Sequence, residues 1–334
     1  EAYADDRAQR PDKLILGTET KPYFTTQRRG QRSQAGLEAI EPGVGELSKK
    51  AHFLPENPWY AVTDADHVIG GLLWTIIDYF GEDSWPKNGW CVGLIDSCGW
   101  PKSRSHFFRC AWSDEPVVRI QVRDEHLPIA TGKQSWDAPR TASHWNWPQR
   151  VGDLLHIETP SNCDSVELLL NGESCGVRAR ADAANDTITW YLPYEPGILE
   201  ARGLDAGQVV TSWRLETTGP ATGLQLLLDR DHLSGDGEDV AHLEIRIVDD
   251  EGRWVQDRDC HVNVNVCGHG ELLGTDNGSM LTKIPYPSCR RETWFGRALA
   301  VIRARAGSGT ITVRVSSEDF PTVATELHVA HVHC

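Results

Sequence analysis

From about Pro116 onward the sequence breaks into short apolar runs that recur roughly every ten residues, with turn residues between them and no helical periodicity. A chain patterned this way must pair its strands antiparallel and pack one sheet on another, because each run is too short and too one-sided to bury itself. Val117–Val122 alternates imperfectly. Ser165–Leu170 runs into Asn171-Gly172, a hairpin signal whose two central residues both need positive φ. Ile188–Leu192 precedes the turn Pro193-Tyr194-Glu195-Pro196-Gly197, and Ile198–Arg202 follows it. After Gly219-Pro220 the texture repeats in Leu224–Leu226, Val240–Val248, Val262–Val266, Ala298–Ile302 and Thr310–Val315, with turns at 249–252 and 307–309. Two antiparallel β-sandwiches are expected, over residues 115–218 and 219–334.

The first third differs. Leu14-Ile15-Leu16 closes on Gly17-Thr18-Glu19, and Val68–Trp74 closes on Thr75–Asp78. Continuous apolarity marks strands buried on both faces, as in a parallel sheet with helices outside. Lys102–Trp112 carries Phe107, Phe108, Ala111 and Trp112 on a helical stripe. That makes two strand–helix units, whereas a closed β/α barrel needs eight and about 250 residues. The fold class expected is therefore multidomain, α/β plus all-β. Residues 1–114 hold two such units, too few to close a barrel, and two sandwiches follow.

Charge narrows the partners. The 33 Lys+Arg and 48 Asp+Glu leave a net −15, which repels nucleic acid and anionic membranes. No run approaches the roughly 20 apolar residues of a membrane span. The nine cysteines contain no C-x-x-C pair and read as mostly free thiols. In a secreted protein, Asn185-Asp186-Thr187 and Asn277-Gly278-Ser279 would accept glycans. The sequence opens at Glu1 with neither a start Met nor a signal-type segment, so its beginning indicates no compartment.

Catalytic side chains of a β/α barrel project from the C-terminal ends of its strands. Glu19 sits at the end of the first run. Trp74 ends the second and is followed by Asp78, Tyr79 and Glu82. Trp74, Trp85, Trp90, Trp100 and Trp112 crowd the same stretch. Indole faces stack on the C–H faces of sugar rings and leave the hydroxyls free, so a carboxylate beside them suits a glycosidase subsite. The competing reading makes Glu19 a strand cap and the tryptophans core.

Residues 10–113 resemble the end of the catalytic barrel of glycoside hydrolase family 2, the β-galactosidase and β-glucuronidase family. The resemblance rests on Lys13–Thr20, Ile69–Tyr79 and Ile95–Lys102. The later parts resemble the C-terminal sandwiches of one branch of that family, through His144–Trp147, Asn162–Gly172, Tyr194–Gly197, Leu228–Asp231, Gly274–Gly278 and Arg290-Arg291. The resemblance implies Glu19 as the nucleophile of a retaining glycosidase acting on a β-linked sugar, with Trp74 as the floor of the sugar subsite. Asp78 and Tyr79 are further substrate-binding candidates. It also implies an acid/base Glu preceded by Asn on an earlier strand, and no Asn-Glu dipeptide occurs here. The expected partners are thus a carbohydrate and either the missing N-terminal part of the same enzyme or a complementary chain. Family members bind Mg²⁺ or Na⁺, but no acidic cluster marks such a site, and no cofactor is assigned.

The insertion 26–50 is expected as a surface excursion, and His328–Cys334 as a final strand rather than a metal site. Trp145 and Trp147 are expected where the first sandwich meets the barrel. A reading from another class stays open: a non-catalytic carbohydrate-binding or interaction protein with a degenerate barrel remnant.

Overall fold

The computed structural model describes residues 3–20, 59–63, 65–82, 85, 87–103, 105–124, 141–183 and 186–331. The insertion 26–50, Asn185 and the last three residues lie outside the described residues. The chain divides into two units, Glu1–Asp96 with Pro101–Thr217, and Ser97–Trp100 with Thr218–Cys334.

In the first unit, α1 (Tyr3–Gln9) leads to β1 (Ile15–Thr20), and α2 (Trp59–Thr63) to β2 (Val68–Leu73). β1 and β2 pair in parallel, from Ile15 opposite Val68 to Thr20 opposite Leu73. Both continuous apolar runs are strands, yet they are not buried on both faces. Leu16, Ile69 and Leu72 are exposed, Ile69 at 63%. Two strands cannot supply the second layer that such a sheet needs. β3 (Tyr79–Phe80) and β4 (Gly89–Trp90) pair antiparallel, and α3 (Ser105–Trp112) follows. α3 buries Phe107, Phe108 and Cys110, the first two packed with Leu94, Leu73 and Trp59. Ala111, expected on that stripe, is exposed.

The first sandwich has one sheet of β5 (Gln121–Arg123), β6 (Thr141–Ala142), β7 (Leu154–Pro160) and β10 (Thr187–Pro193), ordered β10-β7-β5-β6. The other contains β8 (Ser165–Leu170), β9 (Glu173–Ala179), β11 (Ile198–Asp205) and β12 (Gln208–Glu216), ordered β12-β11-β8-β9. Ile120, Leu155, Ile157, Ile188 and Trp190 of the first sheet's segments are fully buried, as are Val166, Leu168, Leu199 and Ala201 of the second. Asn171 and Gly172 turn the β8–β9 hairpin with φ of +53° and +85°. The turn at 193–197 carries the chain from one sheet to the other. Trp145 is buried inside this sandwich, edge-on to Tyr194 at 5.0 Å, with its Nε1 donating to the Glu195 carbonyl at 3.0 Å. It is therefore a core residue of this sandwich.

The second unit holds β13 (Gly223–Leu228), β15 (Val240–Val248), β17 (Gly270–Asp276) and β19 (Arg297–Ala304), ordered β13-β15-β19-β17. Facing them are β14 (His232–Ser234), β16 (His261–Gly268), β18 (Arg290–Glu292), β20 (Gly309–Ser317) and β21 (Val323–Ala330), ordered β14-β21-β20-β16-β18. Every second residue of β19 is buried, and Leu243, Ile245, Ala300 and Ile302 meet Val262, Val264, Val313, Val315 and Leu327 in one core. Arg291 is fully buried, with its guanidinium spread over Thr275, Thr282 and the carbonyls of Ile284 and Pro285. Asn277 is buried, and its amide donates to the Glu292 carbonyl at 2.9 Å, which removes it as a glycan acceptor. Among the described residues the cysteines are free thiols.

Candidate active site

Parallel pairing brings the C-terminal ends of β1 and β2 side by side. Thr20 lies opposite Leu73, and the Trp74 amide donates to the Thr20 carbonyl at 2.8 Å. Glu19 and Trp74 therefore leave neighbouring strand ends, Glu19 exposed and Trp74 39% exposed. The Trp74–Thr75 peptide is cis. Beyond it the Tyr79 ring stands edge-on to Trp74 at 5.5 Å and tilted against Trp90 at 6.3 Å. These three rings form an aromatic shelf beside Glu19. The Tyr79 hydroxyl donates to Glu82 Oε2 at 2.7 Å. Burial, the hydrogen bond to Glu82 and the negative charges of Glu82 and Glu19 push the phenol up to about 12.

Asp78 behaves differently from a rim residue. Its side chain is 1% exposed, and its carboxylate lies 2.5 Å from the Lys102 ammonium. The Gly93 amide donates to Oδ1 at 2.8 Å, and Lys102 also donates to the Cys91 carbonyl at 3.0 Å. A Cβ on Gly93 would meet the Asp78 backbone, so only glycine allows this approach. Lys102 thus ties together Asp78, which precedes Tyr79, and Cys91, which follows Trp90. The Asp78 carboxylate is thus buried against Lys102 and Gly93.

The five tryptophans separate by role. Trp74 and Trp90 belong to the shelf. Trp112 packs on Phe108 at 4.9 Å and on Trp59 at 5.4 Å. Trp100 lies in the second unit under the Arg297 guanidinium at 4.0 Å, and Trp85 is 74% exposed. Reading the sequence alone missed Lys102 as the counter-ion of Asp78. Both sit in segments with family likeness, but 24 positions apart, and no local period links them.

Residues 224–326 match the family model described as glycoside hydrolase family 2 C-terminal domain 5, and residues 152–211 match a domain of unknown function (DUF4982). A β-galactosidase of Bacteroides ovatus is 29% identical over 77% of this chain. A solved family 2 member from Bacteroides cellulosilyticus superimposes over 98% of the chain with TM-score 0.82 and 26% identity. Residues 224–326 thus carry a glycoside hydrolase family 2 C-terminal domain, and most of the chain is similar to the C-terminal portion of members of that family.

A putative β-glucuronidase of Formosa agariphila is a further relative, 25% identical over 74% of this chain. The chain spans 28% and 22% of those two curated relatives and 41% of the solved family 2 structure. Among the described residues no three His, Cys, Asp or Glu side chains converge where a metal ion could be held.

Proposed function

We propose that the chain is the C-terminal portion of a retaining exo-glycosidase acting on a terminal β-linked sugar, a β-galactoside first, with Glu19 as its nucleophile. The observation that carries this reading is the register of β1 against β2, which sets the Glu19 strand end beside Trp74 and the aromatic shelf. Trp74 and Tyr79 would hold the sugar by its apolar face. Asp78 would act only by fixing Tyr79.

In this reading residues 1–114 are the last two units of a (β/α)8 barrel, and 115–218 and 219–334 are immunoglobulin-like domains. The exposed Leu16, Ile69 and Leu72 support it, since parallel strands are normally covered on both faces. The remaining six units, from the same polypeptide or a complementary chain, would cover them and bring the acid/base carboxyl. The two carboxyls would stand about 5–5.5 Å apart. A Glu19 oxygen attacks the anomeric carbon as the glycosidic C–O bond breaks, and the acid/base gives its proton to the leaving oxygen. Water, deprotonated by that same residue, then displaces Glu19 with net retention.

The test is to incubate the full-length enzyme with an activated 2-deoxy-2-fluoro-β-galactoside and analyse its peptides by mass spectrometry. A fluorosugar on the peptide containing Glu19, absent from Glu19→Gln, is the expected result. Glu19→Gln is also expected to lower turnover of an aryl β-glycoside by more than about a thousandfold. An adduct on another carboxylate, or Glu19→Gln activity within about tenfold of wild type, removes Glu19 from the role.

A further inference from the structure

Glu82 is gripped by the rings that form the shelf. It follows Gly81 (φ +89°) and itself sits at φ +56°, a left-handed conformation uncommon for a residue with a side chain. The Trp90 indole N–H donates to its carbonyl, and the Tyr79 hydroxyl donates to its Oε2 at 2.7 Å. The side chain is exposed, and Oε1 has no partner among the described residues. Glu82 is thus fixed at both backbone and side chain, with one acceptor oxygen left for a ligand.

Among the described residues two carboxylates border the shelf. Glu19 and Glu82 both act on the Tyr79 phenol. The Lys102 ammonium does not offset them, because it is taken by Asp78 and the Cys91 carbonyl. Among the described residues no salt bridge reaches Glu19 or Glu82. A neutral sugar offers hydroxyl protons to such acceptors. A hexuronate replaces one hydroxymethyl with a carboxylate, which has no proton to give and meets like charge there.

We propose that Glu82 is a specificity-determining residue that selects a neutral sugar against a hexuronate by accepting a sugar hydroxyl and repelling a sugar carboxylate. The proposal rests on Glu19 and Trp74 forming one subsite, and it separates two activities carried by names among the relatives, β-galactosidase and β-glucuronidase.

The experiment measures kcat/KM of the full-length enzyme for 4-nitrophenyl β-galactoside and 4-nitrophenyl β-glucuronide, in wild type, Glu82→Gln, Glu82→Asp and Glu19→Gln. Wild type is expected to favour the galactoside by about a hundredfold or more. Glu82→Gln keeps the shape and loses the charge, and should raise the glucuronide-to-galactoside ratio about tenfold, mainly through a lower KM for the glucuronide. Glu82→Asp keeps the charge and should not raise it. Should Glu82→Gln fail to fold, the wild-type preference must still narrow as salt is raised, because a charge-based preference is screened. An unchanged ratio in Glu82→Gln, or a wild-type preference for the glucuronide, overturns the role of Glu82 while Glu19→Gln inactivity leaves the catalytic reading standing. Retained activity in Glu19→Gln removes the shared subsite, and the proposal with it.

Discussion

The parallel pair of the first unit and the sandwich of the second differ in what covers their apolar residues. In β19 every second side chain is buried under a facing sheet drawn from the same unit. In β1 and β2 the apolar residues are continuous, and Leu16, Ile69 and Leu72 stay exposed. An alternating strand needs one partner layer, which a single sandwich can supply. A continuously apolar strand needs two. The lesson is that the period of the apolar pattern reports how many layers a strand requires, and so whether its neighbours lie within the described residues.

The largest effect expected from this difference concerns autonomy. Residues 218–334 expressed alone should unfold in one cooperative transition, whereas residues 1–113 alone should bind a hydrophobic dye and show no slow amide exchange. Cooperative unfolding of the shorter piece would end the contrast. Next comes the ion pair beneath the shelf. Lys102→Met leaves the Asp78 carboxylate buried without its counter-ion and should cost about 3–5 kcal/mol in denaturant unfolding. Arg303→Met removes a half-exposed partner of Glu271 in the second unit and should cost less than about 1 kcal/mol.

Acid should separate the units in the same direction. Burial, then the charges of Arg119 and Arg109, pull His106 from 6.5 down to about 3. Its folded value is depressed, so the unfolded chain takes up the proton first. Stability is lost as pH falls from 6.5 toward 3, at up to about 1.4 kcal/mol per pH unit. In the second unit, burial would raise the Asp249 carboxyl, but the amides of Gly219 and Arg253 hold it below the usual 3.8. Its contribution is lost only below that value. Hydrogen exchange at pH 5 should thus accelerate in α3 before β15, and His106→Gln should abolish the difference. The smallest effect is a core test. Leu72→Ala should change the stability of this chain by under about 0.5 kcal/mol, against about 2–5 for Leu243→Ala. In the full-length enzyme the Leu72→Ala cost should rise toward the Leu243 value.

Much of the sandwich architecture was legible in the sequence because its signals are local. Val240–Val248 is a strand to the residue, and Asn171-Gly172 turns a hairpin as its positive φ values require. β12 was not legible, because an edge strand with most side chains in solvent carries little alternation. Of the site, the sequence placed Glu19 and Trp74 at strand ends, and the register brings those ends together. It did not indicate that Asp78 is buried on Lys102, that Glu82 is held by Tyr79 and Trp90, or that Trp100 sits apart in the second unit.

The amino-acid order by itself determined where strands and turns form, since each depends on the residues within a few positions of it. Only the tertiary structure decided which carboxylate is neutralised inside and which stands open beside the rings. A charge chooses its partner by distance in space, and Lys102, Gly93 and Asp78 become neighbours only once the chain has closed around them.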